Sequence, residues 1–413
     1  MKKILVVLDG GADLPVGMLH NKTPLEAAKT PNLDFFARKG RQGYMYPIDE
    51  KVVPGSDNSL IAMFGNNPFE CRRGIYEVIG AGLKFTRGDL AFRVNFGTID
   101  NLKSREVIDR RAGRTLTTKE ARILSKDLNE KIKLRHKFEL KPTVQHRGAL
   151  IIKGGFSDNI SFIDPEWTGG GKSKFRFSKP LDENDENAKY SANIVNDFVT
   201  QAFRILDNHP VNLERKRKGL LPANMLFLRG PGVEMQRVNK YRNWMSINIM
   251  PLEIGISKAS GMKVFSFEYP KMKKIDSYAN LYYGLRKTLR FARRTIKRHH
   301  KEYAGCYIQI KESDVPGHDN KPIEKKNIFE VVDRKFFKFL RKFARDKEVR
   351  IVVTCDHSTP CKLKGHSAHP VPVLVYDGKN SDETKKFSEK ESRKGVLGRF
   401  YGKDFMQKTG LNR

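Results

Sequence analysis

The chain of 413 residues has only four cysteines, Cys71, Cys306, Cys355 and Cys361. That is too few for a disulfide framework at this length, and a reducing cytoplasm suits it. Long apolar runs are missing: no stretch of 18 apolar residues exists, which argues against a membrane-spanning helix. The amino-terminal apolar run, Ile4 to Leu8, is short and closes on Asp9-Gly10-Gly11 without a small-residue cleavage site. It reads as a first buried strand and not as a signal peptide. Acidic residues are scarce as well, 47 Asp and Glu against 79 Lys and Arg, leaving a formal charge of +32. Such an excess favours anionic partners and resists self-association, although it leaves a homo-oligomer open. The basic residues are spread along the chain and not gathered in a tail. A small anionic substrate is therefore expected ahead of nucleic acid.

What is present is an alternation of strand-like and helix-like segments. Lys3–Leu8, Leu90–Phe96, Met225–Leu228, Lys263–Phe267, Cys306–Ile310 and Ile351–Thr354 read as strands. Pro54-Gly55-Ser56-Asp57-Asn58-Ser59 precedes apolar Leu60–Phe64, a tight turn opening into a buried helix with Ser56 near its start. Thr117 or Thr118 can cap a helix with Ala121, Leu124, Leu128 and Ile132 at helical spacing. A second amphipathic helix is expected over about Ser191–Leu206, and Asp182–Asn187 and Gly169–Gly171 read as loops. Val144–Lys153 reads as a strand carrying His146 and Arg147. A long helix over Tyr278–Tyr303 has Leu281, Leu285, Leu289, Ala292 and Ile296 as its buried stripe. Its opposite side, Arg286, Arg290, Arg293, Arg294, Lys297 and Arg298, reads as a solvated basic face. The expected fold class is α/β, with residues 1–95 and 223–413 forming one discontinuous domain and 96–222 inserted as a smaller α+β domain.

Four strand ends offer metal-type side chains: Asp9, Ser56 with its turn, Asp314 with His318, and Asp356-His357 with His366. In an open α/β sheet, ligands bind outside the carboxyl ends of the strands, so parallel strands would gather all four. Each has a plainer reading alone, since Ser56 suits a helix cap and Asp9-Gly10 a turn. Carboxylates and imidazoles together suit a divalent cation such as Mn, Zn, Co or Mg.

Taken together, LDGGAD at the amino end, PGSDNS, EVIGAG, IDRRAGR, LRGPG, DVPGHD and TCDHSTP followed by GHS resemble one family over nearly the whole chain. That family is the archaeal-type cofactor-independent phosphoglycerate mutases of the alkaline phosphatase superfamily. The resemblance implies a three-layer core with a mainly parallel sheet, plus the inserted domain as a substrate lid. It implies interconversion of 3-phosphoglycerate and 2-phosphoglycerate, a small phosphorylated three-carbon acid, without added bisphosphoglycerate. It implies two divalent ions, one on Asp9, Ser56, Asp356 and His357 and the other on Asp314, His318 and His366. His369 falls outside that set. Ser56 would be the nucleophile and Asp109 the acid/base moving a proton between two hydroxyls. Arg110, Arg111, Arg114, His146 and Arg147 suit a carboxylate and hydroxyls, because guanidinium forks grip carboxylates in pairs. Arg93, Arg229 and Lys258 are further candidates for the phosphoryl group.

Two other readings compete. A phosphatase, phosphodiesterase or sulfatase of the same superfamily would share the metal core and differ in the insertion. A structural zinc site on Cys355, His357, Cys361 and His366 in a nucleic-acid-binding module would leave Asp9, Ser56, Asp314 and His318 idle. Its Cys-x5-Cys spacing is also wider than zinc sites use.

Overall fold

The computed structural model describes residues 2–164, 173–270, 277–345 and 348–412; the expected Gly169–Gly171 loop lies outside them. The chain divides into two units. One comprises Met1–Cys71, Arg237–Ile249 and Ser260–Arg413, the other Arg72–Gln236 and Met250–Ala259.

The first unit is built on an eight-stranded sheet. Lys3–Leu8 lies between Gly305–Ile310 and Arg350–Thr354, parallel to both. Trp244–Ile247 and Lys263–Phe265 extend the parallel part on one side. On the other side Val371–Tyr376 runs antiparallel to its two neighbours, and Gly398–Tyr401 closes the edge parallel to Arg41–Tyr46. Ile4, Leu5, Val6 and Val7 are wholly buried, as a strand covered on both faces requires. The helix Pro31–Arg38 has no side-chain cap of its own. Instead the buried Asp333 carboxylate accepts from the amides of Asn32 (3.0 Å) and Leu33 (2.7 Å), satisfying end groups the helix leaves open. The long helix forms over Ser277–His299, with Leu285, Leu289, Ala292 and Ile296 buried as its pattern demands.

The second unit holds a five-stranded sheet in which every pairing is antiparallel. Its central strand, Leu90–Ile99, pairs with Arg147–Ile152 and with Met225–Gly232. Leu90, Phe92, Val94 and Phe96 point to one side and pack with Leu124 and Leu128 of the helix Thr118–Lys131 and Phe198 and Ala202 of the helix Glu186–Asp207. Ala91, Ala149 and Ile151 point to the other side and meet Ile75 and Val78 of the helix Arg73–Gly80. That helix crosses Pro251–Ala259 so closely that a Cβ on Gly80 or Gly255 would overlap the other helix's backbone.

This unit is wider than the 96–222 insertion the sequence suggests. Leu90–Phe96 is hydrogen-bonded to Met225–Leu228 on one side and to Arg147–Ile152 on the other, so both segments belong to the antiparallel sheet. Thr117 caps its helix through a reciprocal pair with Glu120, as expected. The second helix starts at Glu186, earlier than its apolar pattern indicates, because the Asp185 carboxylate accepts from the Ala188 amide. His146 sits just before its strand, in the turn joining Phe138–Pro142 to Arg147–Ile152.

Candidate metal centre and cationic cluster

The register of three parallel strands sets the centre. Leu8 pairs with Ile310 and Val7 with Thr354, so Asp9, Lys311–Asp314 and Asp356-His357 all leave the sheet at its carboxyl edge. Gly10 turns beneath them with φ of 54°, and a Cβ there would strike Asp314 Oδ1 and Thr359 Oγ1. Ser56 opens the helix Ser56–Met63, and its Oγ lies 3.1 Å from His357 Nε2.

Hydrogen bonds tie the carboxylates in place. Asp356 Oδ1 accepts from the amides of Gly10 (2.9 Å) and His357 (3.1 Å). Gln309 Nε2 donates to Asp356 Oδ2 at 3.0 Å and also to Asp9 Oδ2, which Lys311 Nζ joins as well. Asp314 Oδ1 accepts from Thr359 Oγ1 at 2.8 Å, and Thr359 Oγ1 lies 3.1 Å from His357 Nδ1. Behind these, Lys325 is wholly buried; its Nζ donates to the carbonyls of Ala12 (3.2 Å) and Thr359 (3.0 Å) and pairs with Asp13 (2.9 Å). One ammonium thus joins the loop after Asp9 to the loop after His357.

Two ligand groups result. Asp314, His318 and His366 bring one donor atom each within 4.8 Å of one another, and so do Asp9, Asp314 and His357. Asp314 therefore faces both groups. Asp356 is held beside the second, its Oδ2 3.5 Å from His357 Nε2. His357 and His366 stack with ring centroids 3.8 Å apart. Burial pushes both imidazoles down to about 3, so their ring nitrogens keep free lone pairs. Burial works to raise Asp314, but the His318 imidazole, through its charge and its hydrogen bond, leads the opposing effects, and the carboxyl stays well below its usual range. Neutral imidazoles converging with ionised carboxylates are the donor set a divalent cation takes, so the residues fit a metal. His369 turns aside to Ser367 Oγ at 2.9 Å. The cysteine-based zinc reading finds no support among the described residues. Cys355 and Cys361 join neither ligand group, Cys361 Sγ faces the Pro316 carbonyl, and burial raises both thiols.

The second unit gathers positive charge. Arg93 pairs across strands with Arg229, and Arg147 stands opposite Asn95 on the same side of the sheet. His146 is buried; burial first, then the charges of Arg147, Arg111, Arg93 and Arg114, keep its pKa well below the usual imidazole value. Burial likewise lowers Arg93, with Arg73, Arg147 and Arg229 adding to the effect and Glu77 opposing it. Arg110 is turned to Asp164 (2.6 Å), towards which Arg229 also points (3.9 Å). Asp109 Oδ1 accepts from the amides of Arg111 (2.6 Å) and Gly113 (2.9 Å), which fixes its carboxylate. Lys258 Nζ donates to the Ile79 carbonyl at 3.3 Å. Of the expected binding residues, Arg93, Arg111, Arg114, His146, Arg147 and Arg229 thus share one cluster, whereas Arg110 and Lys258 have other partners.

A family model described as 2,3-bisphosphoglycerate-independent phosphoglycerate mutase matches residues 37–212. The enzyme of that name from Pyrococcus horikoshii is 34% identical, over 98% of this chain and 95% of its own. The chain belongs to this family. A second relative, the 2,3-bisphosphoglycerate-independent phosphoglycerate mutase 1 of Archaeoglobus fulgidus, is 36% identical over 98% of this chain and 96% of its own. Among solved structures, a Pyrococcus horikoshii protein superposes with a TM-score of 0.76 at 29% identity, covering 99% of this chain and 97% of that one. The cofactor-independent phosphoglycerate mutase of Thermoplasma acidophilum gives 0.60 at 28% identity, covering both chains fully. Phosphoglycerate mutases are isomerases, and the α/β core described above is the frame on which this one is built.

Sequence reasoning missed Gln309, Lys311, Thr359 and Lys325. A signal existed for Gln309, a polar residue in the otherwise apolar strand Gly305–Ile310, three positions after Cys306. Buried amides in such a strand need partners, and carboxylates at the strand end supply them.

Proposed function

We propose that the chain interconverts 3-phosphoglycerate and 2-phosphoglycerate through a phosphoserine on Ser56. In this reading Asp9, Ser56, Asp356 and His357 hold one divalent ion, and Asp314, His318 and His366 hold a second. The observation that carries it is Ser56 Oγ 3.1 Å from His357 Nε2, at a helix start beside two carboxylate–imidazole groups. Bound ions would acidify the serine hydroxyl and neutralise the phosphoryl oxygens. Ser56 Oγ attacks phosphorus while the bond from phosphorus to the substrate's O3 breaks. The amides at the start of Ser56–Met63 favour the negative phosphoryl group. Asp109 gives a proton to O3 and takes one from the 2-hydroxyl, which then attacks the phosphoserine and frees Ser56. Arg93, Arg111, Arg114, His146 and Arg147 would hold the glycerate carboxylate through the turnover, with Arg229 nearby. The four cysteines are all free thiols, which suits the cytoplasm.

The test is an enolase-coupled assay with 3-phosphoglycerate, a divalent metal salt and no bisphosphoglycerate. Formation of 2-phosphoglycerate supports the proposal. Release of inorganic phosphate without 2-phosphoglycerate would make the chain a phosphatase instead.

A further inference from the structure

Two stretches of the first unit are free of acidic residues. From Ser277 to Lys301 there are eight Lys or Arg and no Asp or Glu. From Arg334 to Arg345 there are six and again none. Read singly, the first is a solvated helix face. The structure adds that the two segments are neighbours. Arg293 lies over the Phe339 ring at 5.6 Å, and His300 meets Phe343 at 5.8 Å. Their buried sides face inward through Leu285, Leu289 and Ala292 and through Phe336, Phe337 and Leu340. Their outer sides expose Arg286, Arg290, Arg294, Lys297 and Arg298 beside Arg334, Lys335, Lys338, Arg341 and Lys342. Arg290, Arg294 and Arg298 repeat every fourth residue, so one row alone steps by about 6 Å. Among the described residues, Arg290, Arg294, Lys297, Arg298, Lys335, Lys338 and Lys342 form no ion pair, although many bases elsewhere in the chain are paired.

We propose that this two-helix face binds the phosphate backbone of nucleic acid without sequence preference. Unneutralised cations held this close together repel one another, and a polyanion relieves that repulsion while releasing its own counterions. The surface lacks what other partners need. None of the large exposed apolar side chains falls on either segment, so there is nothing to insert into a bilayer and no apolar anchor for a protein interface. The lack of an exposed aromatic also leaves no platform for stacking bases, which fits backbone contact alone. The face contains none of the residues assigned to catalysis.

The probe is a fluorescein-labelled 20-base-pair DNA duplex of arbitrary sequence, titrated with the full chain at several salt concentrations. Wild type is expected to bind in low salt with a steep dependence of log K on log salt. The variant Arg290→Gln/Arg294→Gln/Arg298→Gln/Lys338→Gln should lose at least about tenfold in affinity at 0.1 M salt, and its slope should fall by about three to four. A control with the same charge change, Lys103→Gln/Lys133→Gln/Lys137→Gln/Lys403→Gln, should stay within about twofold of wild type. Both variants should keep wild-type mutase activity, which checks their folding. If the quadruple variant misfolds, Arg294→Gln and Lys338→Gln alone should each lower the slope by about one. Equal losses in variant and control would reduce the effect to bulk charge and overturn the proposal. So would no binding by wild type, or capture by phosphatidylserine vesicles but not by the duplex.

Discussion

The carboxyl edge of the parallel sheet and the cationic face of the antiparallel sheet each gather like charges, but by opposite means. At the first, Asp9, Asp314 and Asp356 are brought together by backbone amides, Gln309 and Thr359. At the second, Arg93, Arg147 and Arg229 emerge from the register of neighbouring strands. Like charges crowded in a low-dielectric setting are costly, and folding alone gives no reason to crowd them. A ligand of the opposite sign does: on the proposed assignment, a dication for the first and a phosphorylated acid for the second. Each cluster therefore states the charge of what it holds.

That contrast can be broken by substitution. The largest effect is expected at the proposed nucleophile. Ser56→Ala should cut turnover by at least about a thousandfold while metal still binds, measured by the coupled assay and by calorimetric metal titration. Chelation should abolish activity, and added divalent metal should restore it. Next, Asp314→Asn should weaken metal binding more than His318→Ala does, because Asp314 faces both ligand groups; equal losses would mean that it serves only one. Gln309→Leu should weaken metal binding by about 10- to 100-fold, as loss of an outer partner does. On the other side of the comparison, Arg147→Ala should raise KM about tenfold or more with metal affinity unchanged. If metal affinity falls as well, the two clusters are not separable in function.

The smallest effect concerns pH. Burial raises the Glu389 carboxyl to about 7 from an ordinary 4.5. Its Oε1 accepts from the Asp13 amide and its Oε2 from the Thr23 hydroxyl. The folded chain thus keeps a proton there that the unfolded chain has lost, and between pH 4.5 and 7 this contribution to stability declines as pH rises. Glu389→Gln should flatten that part of the Tm profile; an unchanged profile would place the carboxyl's titration elsewhere.

The two clusters also differed in how far they could be read from sequence. Asp9, Ser56, Asp314, His318, Asp356, His357 and His366 stand in short motifs of rare composition at strand ends, so their convergence followed from parallel strands. The arginines did not, because any one of 79 basic residues looks alike until strand register selects Arg93, Arg147 and Arg229. The wider second unit was hidden for a related reason. Leu90–Ile99 has the same apolar alternation whichever sheet it joins, and only its pairing with Met225–Gly232 decides. Two core strands escaped notice. Arg41–Tyr46 has no β-branched residue, and Val371–Tyr376 contains Pro372, which cannot donate to a ladder.

The bonds at Ser56 and Asp356 have a consequence in time. Ser56 and His357 are 301 positions apart, and Gly10 and Asp356 are 346 apart. The centre thus joins an early stretch of the sequence to one more than three hundred positions later. A nascent chain carries Asp9 for 300 residues before Gln309 is made and Ser56 for 301 before His357, and such long-range closure makes folding slow. On the proposed assignment of the site, a chain truncated anywhere before His366 is expected to be inert however well its antiparallel unit folds.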